Sequence, residues 1–93
     1  MESQEIIHVY ERVASLTARM AKAALDKNWS EFELFESQCA KQVSYAKTLS
    51  PSPLKGAALH RKISLLKEIM ANDRSIREIT EPWQHQLPSP MRH

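Results

Sequence analysis

Ala57-Ala58-Leu59-His60-Arg61-Lys62-Ile63-Ser64-Leu65-Leu66-Lys67-Glu68-Ile69-Met70-Ala71-Asn72-Asp73-Arg74-Ser75-Ile76-Arg77-Glu78-Ile79-Thr80 is the stretch whose reading decides the fold. It contains neither Gly nor Pro. At about 100° per residue its apolar side chains fall into two rows. Leu59, Ile63, Leu66 and Met70 form one row, and Leu65, Ile69, Ile76 and Ile79 form another roughly 90° round the helix. Their combined arc approaches roughly 200°, whereas a helix with one packing seam needs about 100° or a little more. Two rows therefore expect two partners, one of them the chain's own bundle and the other foreign.

Working outward, Ser50-Pro51-Ser52-Pro53 on the N-terminal side removes backbone donors and disfavours helical geometry before each Pro, and Pro82 does the same after Glu81. The third helix thus spans about 55–80. Upstream, Ser30 and Glu33 have the spacing of a capping box, with Trp29 and Leu34 at the positions of a hydrophobic staple. They predict a second helix over about 30–49 that turns Phe32, Phe35, Cys39, Val43 and Ala46 inward. Leu34 and Tyr45 fall roughly 200° from Phe32 on the same wheel. That position leaves core and contact surface equally open.

A first helix over about 3–27 follows from Ile6, Tyr10, Val13, Leu16, Met20 and Ala24, spaced by threes and fours. Ala14, Ala21, Ala23 and Ala24 are small enough to admit a close neighbour. Only Asn28 and Trp29 remain as a link, so the first two helices form an antiparallel hairpin. Residues 81–93, with Pro82, Pro88 and Pro90, have room for a turn or short helix. The expected fold is all-α, a three-helix antiparallel bundle in one domain over 1–93: a long hairpin, a long third helix and a short tail. A single Gly in 93 residues leaves no material for tight hairpin turns, which argues against a sheet.

Composition excludes more than it assigns. With 42% apolar and 26% charged residues the chain reads as globular, and at this length a deep catalytic cavity is hard to enclose. Net charge is only +2, with residues 1–50 at −1 and 51–93 at +3, a tilt far short of a nucleic-acid surface. Cys39 is alone, which excludes an internal disulfide and fits a reducing compartment, and it reads as an inert core thiol. His8, His60, His85 and His93 show no metal-ligand spacing, and no phosphate-cradling glycine loop or nucleophile set is present. Glu31, Glu33 and Glu36 suit the positive end of a helix dipole better than acid/base chemistry. The expectation is no enzyme, no cofactor, no metal and no nucleic acid. The acidic start and the lack of a long apolar run also predict no membrane span or leader, hence a cytoplasmic protein.

Asn28-Trp29-Ser30-Glu31-Phe32-Glu33-Leu34-Phe35-Glu36 at the start of the second helix, and Ile63 through Arg77 in the third followed by Glu81-Pro82, resemble the flagellar export chaperone FliT family over most of the chain. The resemblance implies a small helical bundle that binds the C-terminal region of the filament-cap protein, prevents its premature assembly and delivers it to the type III export ATPase machinery. Some members add a regulatory C-terminal helix and bind the flagellar master transcription activator; after Pro82 this chain departs from that pattern. Combined with the wheel, the expected partner-binding residues are Leu65, Ile69, Ile76 and Ile79, flanked by Leu34 and Tyr45, with nearby Lys and Arg orienting the client. The competing reading is a structural module that uses the spare row to form a homodimer or to dock in a larger assembly.

Overall fold

Alanine-rich, uninterrupted helical periodicity produces α1, Glu2–Leu25, in the computed structural model, which describes residues 2–49 and 53–81. Two further helices follow, α2 Trp29–Lys47 and α3 Gly56–Thr80, and no strand occurs among the described residues. The expected turn or short helix after Pro82, including Trp83, lies outside the described residues.

The link between α1 and α2 is Asp26-Lys27-Asn28, placed nearer the N-terminus than the capping-box spacing predicts. Lys27 takes a left-handed φ of 60°, the Lys27 N–H donates to the Ala24 carbonyl and the Asn28 N–H to the Ala23 carbonyl. This is the Schellman closure of a helix C-terminus, and it satisfies carbonyls that would otherwise face no partner. Asn28, not Ser30, then caps α2: its Oδ1 accepts from the Glu31 N–H at 3.3 Å. Asn is among the best N-caps because its short side chain reaches the N3 amide, so the cap sits two residues earlier than expected. Trp29 consequently lies in the first turn of α2, edge-on to Phe32 with ring centroids 5.6 Å apart, rather than stapled to Leu34.

The three helices make an open bundle with α1 in the middle: α1 packs on both α2 and α3, and no packing joins α2 to α3 among the described residues. Contacts Tyr45 to Glu5 and Cys39 to Met20 run α2 antiparallel to α1, whereas Arg61 to Glu11 and Asn72 to Thr17 run α3 parallel to it. The result resembles a single helical layer, 31 Å across and 21 Å thick. Its core is built mainly from α1, where Val9, Ala14, Leu16, Met20, Ala23 and Ala24 are buried. α3 contributes Leu65 and Ile76, and α2 contributes no fully buried residue.

On α3 the two buried residues fall in the row Leu65, Ile69, Ile76 and Ile79, and in the other row Leu66 is half-buried. Leu65 is 2% and Ile76 8% exposed, with Ile69 and Ile79 half-buried, so this row is the seam against α1. Leu59, Ile63 and Met70 are 38, 42 and 68% exposed. The reason is length and one polar residue. Ala58, Lys62, Leu65, Ile69, Asn72, Ile76 and Ile79 keep the three-and-four spacing through almost the whole helix, provided Asn72 can be satisfied inside it. It is satisfied: its Nδ2 donates to Thr17 Oγ1 at 3.0 Å and to the Ala14 carbonyl at 3.3 Å. The other row stops at Met70 and continues as Asp73 and Arg77, which belong in water.

Candidate partner-binding surface

The candidate surface is built on α1. Residues of α1 that touch α2 (Glu5, Arg12, Met20) and those that touch α3 (Glu11, Ala14, Thr17) point in directions roughly 150° apart about the helix axis. Two faces of the layer remain. One carries exposed His8, Ser15, Arg19 and Lys22. The other carries Ile6, Tyr10 and Val13, which are only half-buried although they are the centre of the apolar stripe of α1.

On this second face α2 and α3 rise as the walls of a shallow trough floored by Ile6, Tyr10 and Val13. Helical spacing sets Val43 on the inner edge of α2, and Leu59, Leu66 and Met70 on the inner edge of α3, with Ile63 just outside. Val43, placed inward by the sequence pattern, is 46% exposed here, because the middle of α2 leans on α1 through Phe35, Cys39 and Gln42 instead. A contiguous apolar surface of this kind, rimmed by charge, marks an interaction site in a soluble protein. Lys62 stands at its edge, its Nζ 5.9 Å from the centre of the Tyr10 ring, where a cation is favoured by the ring's negative face.

The structure does not gather the residues that the sequence nominated. Leu65 and Ile76 are sealed against α1, and Ile69 and Ile79 are partly accessible along the same seam. Leu34 and Tyr45 are exposed, at 53 and 44%, but lie on the flank of α2 opposite Val43 and are separated from α3 by α1. Tyr45 serves a local contact, in which its hydroxyl donates to Glu5 Oε2 at 3.0 Å and ties the end of α2 to the start of α1. That hydrogen bond, together with the negative charge of Glu5, raises the phenol pKa. Leu59 and Met70, which the wheel does not nominate, are exposed, and their row is short and ends in charges.

Other chemistry is sparse. Cys39 Sγ is half-buried and donates to Met20 Sδ at 3.7 Å. Burial first, and then the Glu36 carboxylate, raise its pKa, so it is a neutral thiol at pH 7. On the polar face, a shallow depression of about 390 Å³ between the first turns of α1 and α3 is floored by Ile7, Ala57 and Ala58. Its rim side chains pair with one another, Glu11 lying 3.3 Å from His8 Nδ1 and forming an ion pair with Arg61 at 3.3 Å. Among the described residues no cluster is arranged to hold a metal ion, and no helix is long and apolar enough to cross a membrane.

An all-helical layer whose accessible chemistry is an apolar trough, with no convergent polar set beside it among the described residues, has the build of a helical protein-binding module. Comparison with family models makes this specific. The model described as flagellar protein FliT matches residues 7–93, and the chain belongs to this family of flagellar export chaperones. Comparison with curated proteins and with solved structures gave no match.

Proposed function

We propose that the protein is a cytosolic chaperone of the flagellar type III export pathway that binds the C-terminal region of the filament-cap protein, keeps it from assembling early and passes it to the export ATPase machinery. The observation that carries this reading is the exposed row Leu59, Ile63 and Met70 facing the half-buried Ile6, Tyr10 and Val13 of α1. An amphipathic client helix laid along α1 would cover both at once, burying apolar area worth about 25 cal/mol per Å² before association costs. Ile69, half-buried beside this row, takes part at the floor of the α3 wall, whereas Ile79, near the C-terminus of α3 and at the angle of Arg61, stands outside the trough. Leu65 and Ile76 act indirectly, by fixing α3 to α1. Leu34 and Tyr45 would meet a client only if it wrapped over the far flank of α2. The reading includes no catalysis, no nucleic acid and no membrane contact.

Co-expression with the C-terminal region of the filament-cap protein, followed by affinity capture and size-exclusion chromatography, tests it. A stable complex of the two chains is expected. A chain that elutes as a homodimer and captures no cap protein would contradict the proposal and favour a dimerisation module.

A further inference from the structure

The charges along the trough give it a direction. Trp29, Glu36, Val43 and Lys47 follow one another along the inner edge of α2, and Lys62, Leu66 and Asp73 do so along α3. Because α2 runs opposite to α3, the two lysines stand at the same end, where α1 and α3 begin, and Glu36 and Asp73 stand toward the turn between α1 and α2. Lys47 lies eleven residues from Glu36, and Lys62 eleven from Asp73, about 16 Å along each wall at 1.5 Å per residue. Asp73 shares its carboxylate with Arg77 at 3.0 Å, so the acidic character at that end rests chiefly on Glu36. Helix dipoles act in the same sense: the lysine end holds two helix N-termini against one C-terminus, and the other end the reverse.

Resting on the reading of the trough as a client site, we infer that the occupant is an amphipathic helix bound in one orientation, parallel to α2, with an acidic C-terminal turn at Lys47 and Lys62 and basic side chains about three turns earlier at Glu36. The opposite orientation sets the negative end of the client dipole beside Glu36 and its positive end beside two lysines. The chain's own residues 82–93 hold Arg92 and neither Asp nor Glu, so they lack the side chains for the acidic turn.

The test uses two fluorescein-labelled synthetic peptides of about 18 residues with one composition and one apolar stripe. In the first, a Glu pair sits in the C-terminal turn and a Lys pair about three turns earlier; in the second the pairs are exchanged. Fluorescence anisotropy with the full chain is expected to show the first binding at least about fivefold more tightly at low salt, the difference shrinking as salt rises. The Lys47→Glu, Lys62→Glu double variant is expected to reverse the preference. Equal affinities would overturn the orientation while leaving capture of the cap protein intact, so the two failures are distinguishable. Failure of both peptides to bind, or their exclusion by a self-association that Ile63→Asp abolishes, would overturn it too, in the latter case naming a second copy as occupant.

Discussion

The Asn72 amide nitrogen of α3 lies 3.0 Å from the Thr17 hydroxyl of α1, and that hydroxyl donates in turn to the Ala14 carbonyl at 3.0 Å. Asn72 also reaches the Ala14 carbonyl directly, so three groups close a small polar network inside an otherwise apolar seam. Among the described residues no buried side-chain nitrogen or oxygen lacks a partner. A satisfied polar group in a seam costs little in stability and fixes register, because a shift by one helical turn would leave it buried and unpaired. Thr17→Val and Asn72→Ala should each lower stability by about 1 kcal/mol in urea denaturation. The double variant should cost less than the sum, which a double-mutant cycle would reveal.

The seam and the trough wall of α3 should respond oppositely to truncation. Leu65, 2% exposed, is the largest fully buried side chain among the described residues, so Leu65→Ala should cost about 2–4 kcal/mol through lost burial and a cavity. Met70, 68% exposed, should change stability by no more than about 0.5 kcal/mol when replaced by Ala. Thermal denaturation followed by circular dichroism would separate the two. Equal losses would return the Met70 row to the core.

Lys27 holds a φ of 60°, a conformation that glycine adopts without the Cβ penalty. Lys27→Gly should therefore stabilise the protein by about 1 kcal/mol, read as a higher denaturation midpoint in urea. A loss of stability would mean that the Lys27 side chain contributes more than its strained backbone costs.

Cys39 supplies a pH-dependent readout. Burial and Glu36 raise its pKa in the folded state, so the fold favours the protonated thiol. The associated stability is present below the ordinary thiol pKa and is lost as pH rises through the folded value. Alkylation by iodoacetamide at about pH 8, just below the ordinary thiol pKa, should be slower than for the unfolded chain. It should accelerate with pH over a range displaced upward from that of a free thiol. Equal rates in folded and unfolded protein would contradict this environment.

The three helices are legible in the residues because their signals are local: threes-and-fours spacing and the prolines at 51, 53 and 82 suffice for an all-α chain. The cap is less so, because Asn28-Trp29-Ser30-Glu31 and Ser30-Glu31-Phe32-Glu33 are both capping sequences, and only the left-handed Lys27 selects the first. Which of the two apolar rows of α3 packs on α1 is the least legible feature of the pattern. A wheel that counts only apolar residues omits Asn72, and without it the Leu65 row breaks into two pairs, Leu65 with Ile69 and Ile76 with Ile79. Leu34 and Tyr45 are accessible, yet no pattern within α2 tells which side of α1 that helix will take. Such relations belong to the packing of whole helices, and the residues encode them only in combination.

Client binding in the trough can be tested against client binding on the flank of α2. The Ile63→Asp, Met70→Asp double variant should keep its far-UV circular dichroism spectrum and melting profile yet lose measurable binding to the C-terminal region of the filament-cap protein in isothermal titration calorimetry, whereas Leu34→Asp, Tyr45→Asp should bind within about threefold of the parent. Full binding by the first pair and loss by the second would place the client on the far flank of α2 and contradict the assignment.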